Sequence, residues 1–128
     1  SVAVERATQV VATMAELSTQ SLVDSISLFE EFDPKLADSI RDVESKVDNL
    51  EDAIGSYLIK VSTNATDPAD SEQITKLLHI IGDYERISDH AVEIVKTAEE
   101  LNEIVEEEGY DIDDLVEDQI EAFWEEVK

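Results

Sequence analysis

Cysteine is absent from the 128 residues, which removes disulfides, thiolate metal ligands and a cysteine nucleophile together. A chain of this length does not depend on such staples, because it buries enough surface for one core. Glycine and proline are scarce, three and two, so few positions can interrupt a regular element. No run of 18 apolar residues occurs and no charged-then-apolar leader opens the chain, so these residues read as neither a membrane span nor a secretory signal. Basic residues are few as well. Nine Lys and Arg stand against 33 Asp and Glu, a net charge of −24. Such a field repels phosphate backbones and anionic lipid heads, which argues against nucleic-acid partners and against a basic membrane-surface helix. It favours cations, or it is simply a heavily solvated surface. An initiator Met is missing too, and SVAVERATQVVATMAEL opens inside a helical pattern; the expectation is a piece of a longer protein.

What remains is helix. Hydrophobic residues make up 42% of the chain, too many for a disordered segment, and no segment alternates with period two for long. A first segment, about 2 to 32, carries Val4, Ala7, Val10, Val11, Met14, Leu17, Leu28 and Phe32 at helical spacing. It stops at FDPKLAD, where Asp33 can cap a new helix and Pro34 suits its first turn. The second, about 34 to 64, repeats Leu36, Ile40, Val43, Val47, Leu50, Ile54, Leu58 and Val61 in a 3-4 stripe, the pattern of helices crossing at a shallow angle. NATDPADSEQ then breaks the chain, and Asp70 with Gln73 resembles a capping box. The third segment, about 70 to 107, carries Ile74, Leu77, Leu78, Ile81, Val92, Val95, Leu101 and Val105, and Gly109 suits its C-terminal end. A short fourth, 112 to 127, has Ile112, Leu115, Val116, Ile120, Phe123 and Val127 on one face. The expected fold is all-α: an up-and-down antiparallel bundle of three long helices over 1–107. A short acidic C-terminal helix, 108–128, is expected to pack on or beside it.

Two carboxylate pairs stand out by placement. ExxxD occurs at Glu44/Asp48 and Glu85/Asp89, and residues four apart sit roughly 5–6 Å apart on one helix face. In a chain this acidic the spacing means little by itself. Along the third helix, however, positions 74, 78, 81, 85, 88, 92 and 95 are apolar except for Glu85 and Ser88, and Asp89 adjoins them. A carboxylate on a buried face is costly unless it is paired, protonated or bound to metal. Glu44 and Asp48 lie one step round from Val43 and Val47, so the two pairs can face each other across a helix gap. Four carboxylates form an all-oxygen site for a hard or borderline cation such as iron, manganese, magnesium or calcium. The competing reading is an ion pair with Arg86 or a lysine. His90 either donates a hydrogen bond to a neighbouring ligand or sits at a helix interface, and His79 reads as a helix-flank residue. Gly82, costly mid-helix, marks a close helix approach or nothing. The Glu-x-x-His pattern of carboxylate-bridged di-iron bundles is absent, since Ile87 and Lys76 precede the histidines by three.

DYERISDHAVEIV, Asp83 to Val95, resembles the third-helix signature of the PhoU family, E-R-I-(G/S)-D-(H/Q)-A. VESKVDNLEDAI, Val43 to Ile54, is similar to that family's second-helix motif: an acid four before an Asp or Asn, then x-L-E and an apolar residue three on. The resemblance spans about residues 1 to 105, one three-helix repeat. It implies metal on the (E/D)xxxD motifs, as iron or zinc clusters or as magnesium or manganese, with Glu44, Asp48, Glu85 and Asp89 as ligands. Arg86 matches the family arginine, a partner for helix-edge carboxylates, and His90 would support the ligands from beside them. The implied role is regulation of phosphate uptake, not catalysis. Free-standing members carry two repeats; one repeat with LLHIIGDYERISDHAVEI looks most like the cytoplasmic C-terminal domain of bacterial sodium–phosphate cotransporters. That likeness implies a phosphate transporter or sensor component as partner and a place at the inner face of the plasma membrane, reached only through an attached transporter domain. It also implies a homodimer restoring six helices. The helix ending in FWEEVK has no counterpart in the repeat. Two other readings compete: a metal-free helical oligomerisation module, and a carboxylate-bridged di-metal redox enzyme.

Overall fold

A computed structural model describes the backbone of residues 1–109 and 112–128, and side chains at 1–109 and 117–128. It contains four helices, α1 Val2–Ser27, α2 Pro34–Asn64, α3 Pro68–Glu108 and α4 Ile112–Val127, and no strand among the described residues. The short connections at 28–33 and 65–67 force α1, α2 and α3 into up-and-down order, and all three pack on one another. The expected all-α bundle is therefore what the chain forms. Among the described residues no helix is long and apolar enough to cross a membrane.

Helix ends follow local chemistry. Asp33 accepts from the Lys35 and Leu36 amides at 3.0 and 3.4 Å, with Pro34 opening α2, as expected. The same Asp-Pro device opens α3: Asp67 accepts from the Ala69 amide at 2.9 Å, ahead of Pro68. The expected capping box at Asp70 and Gln73 is therefore not the start. α3 closes on Gly109 in the left-handed region, φ 73°, where a glycine carries no Cβ penalty. α1 ends at Ser27, not near 32. There the Ser25 and Ser27 hydroxyls donate to the Leu22 and Asp24 carbonyls at 2.7 and 2.6 Å. The following amides tighten to i→i−3 bonds, a 3₁₀-like ending.

Buried α1 residues recur with strict three-four spacing: Val4, Ala7, Val11, Met14, Ser18, Ser21, Ser25, then Leu28 just past the helix. That stripe faces two separate apolar clusters. One unites Val4, Val11 and Met14 with Val47, Ile54 and Leu58 of α2 and Ile74 and Ile81 of α3. The other gathers Leu28, Ala37, Ile40, Ala91, Val95 and Ala98. Between them lies a polar layer of Ser18, Ser21 and Ser25 from α1 and Ser88 from α3, all buried. On α3 the buried line runs 74, 77, 81, 88, 91, 95, 98, 105, one step round from the expected 74, 78, 81, 85, 88, 92, 95. Small Ser88, Ala91 and Ala98 let α1 come close, and this turns Leu78, Glu85 and Val92 to the half-buried edge. Residues 117–128 of α4 are all exposed; the side chains of Ile112, Leu115 and Val116, which belong to the apolar face expected to pack on or beside the bundle, lie outside the described residues.

Candidate metal centre

Three carboxylates line one edge of α2. Glu44, Asp48 and Glu51 follow at i, i+4 and i+7, so they share a helix side just beyond the buried Val47 and Ile54. Glu85 and Asp89 occupy the facing edge of α3. Glu44, Glu51 and Glu85 are half-buried, whereas Asp48 and Asp89 are exposed. One carboxylate oxygen each from Asp48, Glu51 and Glu85 can be chosen so that all lie within 4.8 Å of one another. That group takes one residue from each sequence-expected pair, Asp48 and Glu85, and adds Glu51; Glu44 and Asp89 are not in it.

Three of the five carboxyls are held above their ordinary range. Glu85 is pushed up from the usual carboxylate range to about 7. A hydrogen bond to Asp89 is the largest cause, followed by burial and then the charges of Asp89, Glu51 and Asp48. Glu44 is raised first by burial, then by the Asp89 and Asp48 charges and a hydrogen bond to Asp89. Burial also raises Glu51, with the charges of Asp48, Asp52 and Asp89 adding to it and Arg86 opposing. Asp89 is thus the neighbour that raises both Glu85 on its own helix and Glu44 across the gap. Like charges held this close favour the protonated form of their neighbours.

A basic clasp is not what holds them. Among the described residues none of the five carboxylates takes part in an ion pair. Arg86 bonds Asp83, one turn back on α3, and reaches the cluster only as the weak opposing charge on Glu51. His90 is exposed, and none of the described hydrogen bonds joins it to a carboxylate. His79 is exposed and faces Asp83 at 4.0 Å. Gly82 marks no close helix approach, since a Cβ there would meet only Arg86 Nη1 at 3.8 Å, an ordinary contact. The bundle's strong interhelix ion pair lies further along, where Arg41 of α2 binds Glu99 of α3 through both guanidinium nitrogens. Burial counts against the charge there, but the bond to Arg41 still holds Glu99 below its usual range.

The donor set is oxygen only, from carboxylates on two helices, and that chemistry fits a hard or borderline cation. Without one, charges at this spacing are relieved only by taking up protons.

The family model for the PhoU domain matches residues 11–98. The chain belongs to the PhoU family. The match runs from Val11 of α1 to Ala98 of α3, and so contains all five carboxylates, the serine layer and the Arg41 end of α2. No curated protein and no solved structure matches the chain. PhoU domains are regulatory, not catalytic in general, and they act with phosphate transport systems in phosphate homeostasis. Glu51 was already visible in the x-L-E of the second-helix PhoU motif. It escaped the spacing argument because that argument sought pairs four apart, and Glu51 stands seven after Glu44.

Proposed function

We propose that this PhoU domain regulates phosphate uptake by binding a metal ion between α2 and α3, as the cytoplasmic domain of a sodium-dependent phosphate transporter. The single observation that carries the metal reading is the convergence of Asp48, Glu51 and Glu85, none of them in an ion pair among the described residues, with Glu44 and Asp89 close enough to act on them. A bound cation supplies positive charge to a site where the carboxylates otherwise repel. Glu85 then releases its proton, and the α2 and α3 edges are held in one register. Iron, manganese and magnesium suit the oxygen set best; zinc, which prefers nitrogen and sulfur ligands, suits it less. Regulation would follow from occupancy, because the cation changes both the charge and the stiffness of the face that a transporter or sensor component meets. Pairing of two copies would rebuild the six-helix form of two-repeat PhoU proteins.

The test begins with metal-stripped protein. Iron, manganese, zinc and magnesium are added singly while the thermal midpoint and bound stoichiometry are followed. A rise in the midpoint with at least one of them is expected, and it should disappear in Glu85→Gln/Asp89→Asn with helix content unchanged. Glu51→Gln alone should weaken the metal without abolishing it. A midpoint indifferent to every cation would leave the competing reading, a metal-free oligomerisation module. Unchanged stoichiometry in the double variant would mean that other residues hold the ion.

A further inference from the structure

α4 leaves an apolar seam uncovered. Ile120, Phe123, Trp124 and Val127 are 52%, 58%, 59% and 53% exposed, and their spacing puts all four on one side of the helix. Phe123 and Trp124 meet edge to face with ring centroids 6.0 Å apart. In heptad terms Ile120 and Val127 occupy a positions, Phe123 the d between them, and Trp124 the adjoining e. Acids border the seam on both sides, Glu117 at an e position and Glu126 at a g position. Asp118, Glu121 and Glu125 lie on the rest of the helix surface with Gln119 and Ala122. Lys128, the one base between 117 and 128, is tied to Glu125 at 2.9 Å.

We propose that this seam docks a basic amphipathic helix of another protein. The apolar stripe is narrow, the width that one partner helix covers rather than a broad sheet or groove floor. Charges at e and g choose the partner in such pairings; here the charged ones are Glu117 and Glu126, beside Gln119 and Trp124, so lysine or arginine is favoured opposite the two acids. A second copy is disfavoured because it would bring together two helices that each carry five acids against one base over 117–128, in a chain already carrying −24. A lipid surface is disfavoured too, because interfacial helices flank their apolar face with Lys and Arg, and anionic headgroups repel this one. Neither the match to the PhoU family, which ends at residue 98, nor the metal reading is needed for this assignment.

Trp124 is the only tryptophan in the chain, so its emission reports on the seam alone. The whole chain is titrated with a synthetic leucine–lysine helix in heptad register and with its leucine–glutamate counterpart. A saturable blue shift is expected with the first and none with the second, and affinity should fall as salt is raised. Ile120→Asn/Phe123→Ser keeps every charge and the reporter, and should bind the basic helix roughly tenfold more weakly or worse. Glu117→Gln/Glu126→Gln keeps the apolar seam instead, and should flatten the salt dependence. Equal affinity in the Ile120/Phe123 variant would overturn the proposal, since charge alone would then explain binding. Three other outcomes overturn it as well. Emission already blue-shifted in dilute free protein means the bundle covers the seam. A shift that grows with protein concentration means a second copy does. A shift on phosphatidylglycerol or phosphatidylcholine vesicles, but not with the peptide, means a membrane.

Discussion

Replacing Glu85 by glutamine should strengthen the metal-free domain at neutral pH, although it removes a charged residue from a structured site. Glu85 titrates at about 7 in the folded protein against a usual 4.5, so the folded state holds this proton more tightly than the unfolded chain. The sign follows from that. The advantage is complete below about 4.5, where the group is protonated in both states, and it is lost as pH rises through the folded value near 7. A shift of this size corresponds to about 3 kcal/mol if taken whole. Glu85 is only half-buried and water screens its neighbours, so about 1–1.5 kcal/mol is the reasonable magnitude. For a domain of this length that moves the thermal midpoint by about 3–6 °C. Wild type and Glu85→Gln, both stripped of metal, should therefore melt together at pH 4.5 and separate progressively towards pH 8, with the variant the more stable. The introduced side-chain amide can still donate to Asp89, so the hydrogen bond is kept while the charge is lost. Melting curves across this range, at fixed ionic strength, measure the difference directly. Parallel pH profiles in the two proteins, or a less stable variant at pH 8, would refute the idea that the five carboxylates repel one another in the fold.

Two further outcomes test the scaffold. Ser18 is fully buried and its hydroxyl finds no partner, so Ser18→Ala should raise stability by about 1 kcal/mol in urea unfolding; a loss would mean that the hydroxyl is satisfied in solution. Asp67→Ala should cost about 1 kcal/mol through the lost cap, whereas Asp70→Ala should cost under about 0.5 kcal/mol, because Asp67 and not Asp70 starts α3.

The bundle was legible because its large aliphatic residues keep helical spacing over α1, α2 and α3, and because Asp33-Pro34 and Gly109 carry their own conformational chemistry. The departures have separate local causes. Hydrophobic stripes are read from large side chains, and the side of α3 that meets α1 is built from Ser88, Ala91 and Ala98, which hardly register. Glu85 was for that reason placed on the buried face when it stands at the edge. Leu28 continued the α1 period although the hydroxyls of Ser25 and Ser27 end the helix just before it. Asp67-Pro68 repeats the start signal of α2 and was passed over for a looser match at Asp70. At the site, spacing and placement single out Glu44, Asp48, Glu85 and Asp89, of which Asp48 and Glu85 are grouped in the fold. Their company with Glu51 depended on how two helices meet, which no single helix displays.

The serine layer has a mechanical meaning. With Ser18, Ser21, Ser25 and Ser88 separating the Met14 cluster from the Leu28 cluster, the domain resembles two short barrels of oil joined by a damp gasket. The two halves need not loosen together, and the smaller Leu28 half should surrender its amide protons first. Glu44, between Ile40 and Val47, and the Glu85–Asp89 pair, astride Ser88, sit on the rim of that gasket. Their mutual push at neutral pH thus falls where least hydrocarbon resists it, and whatever quiets that push, proton or cation, tightens the joint.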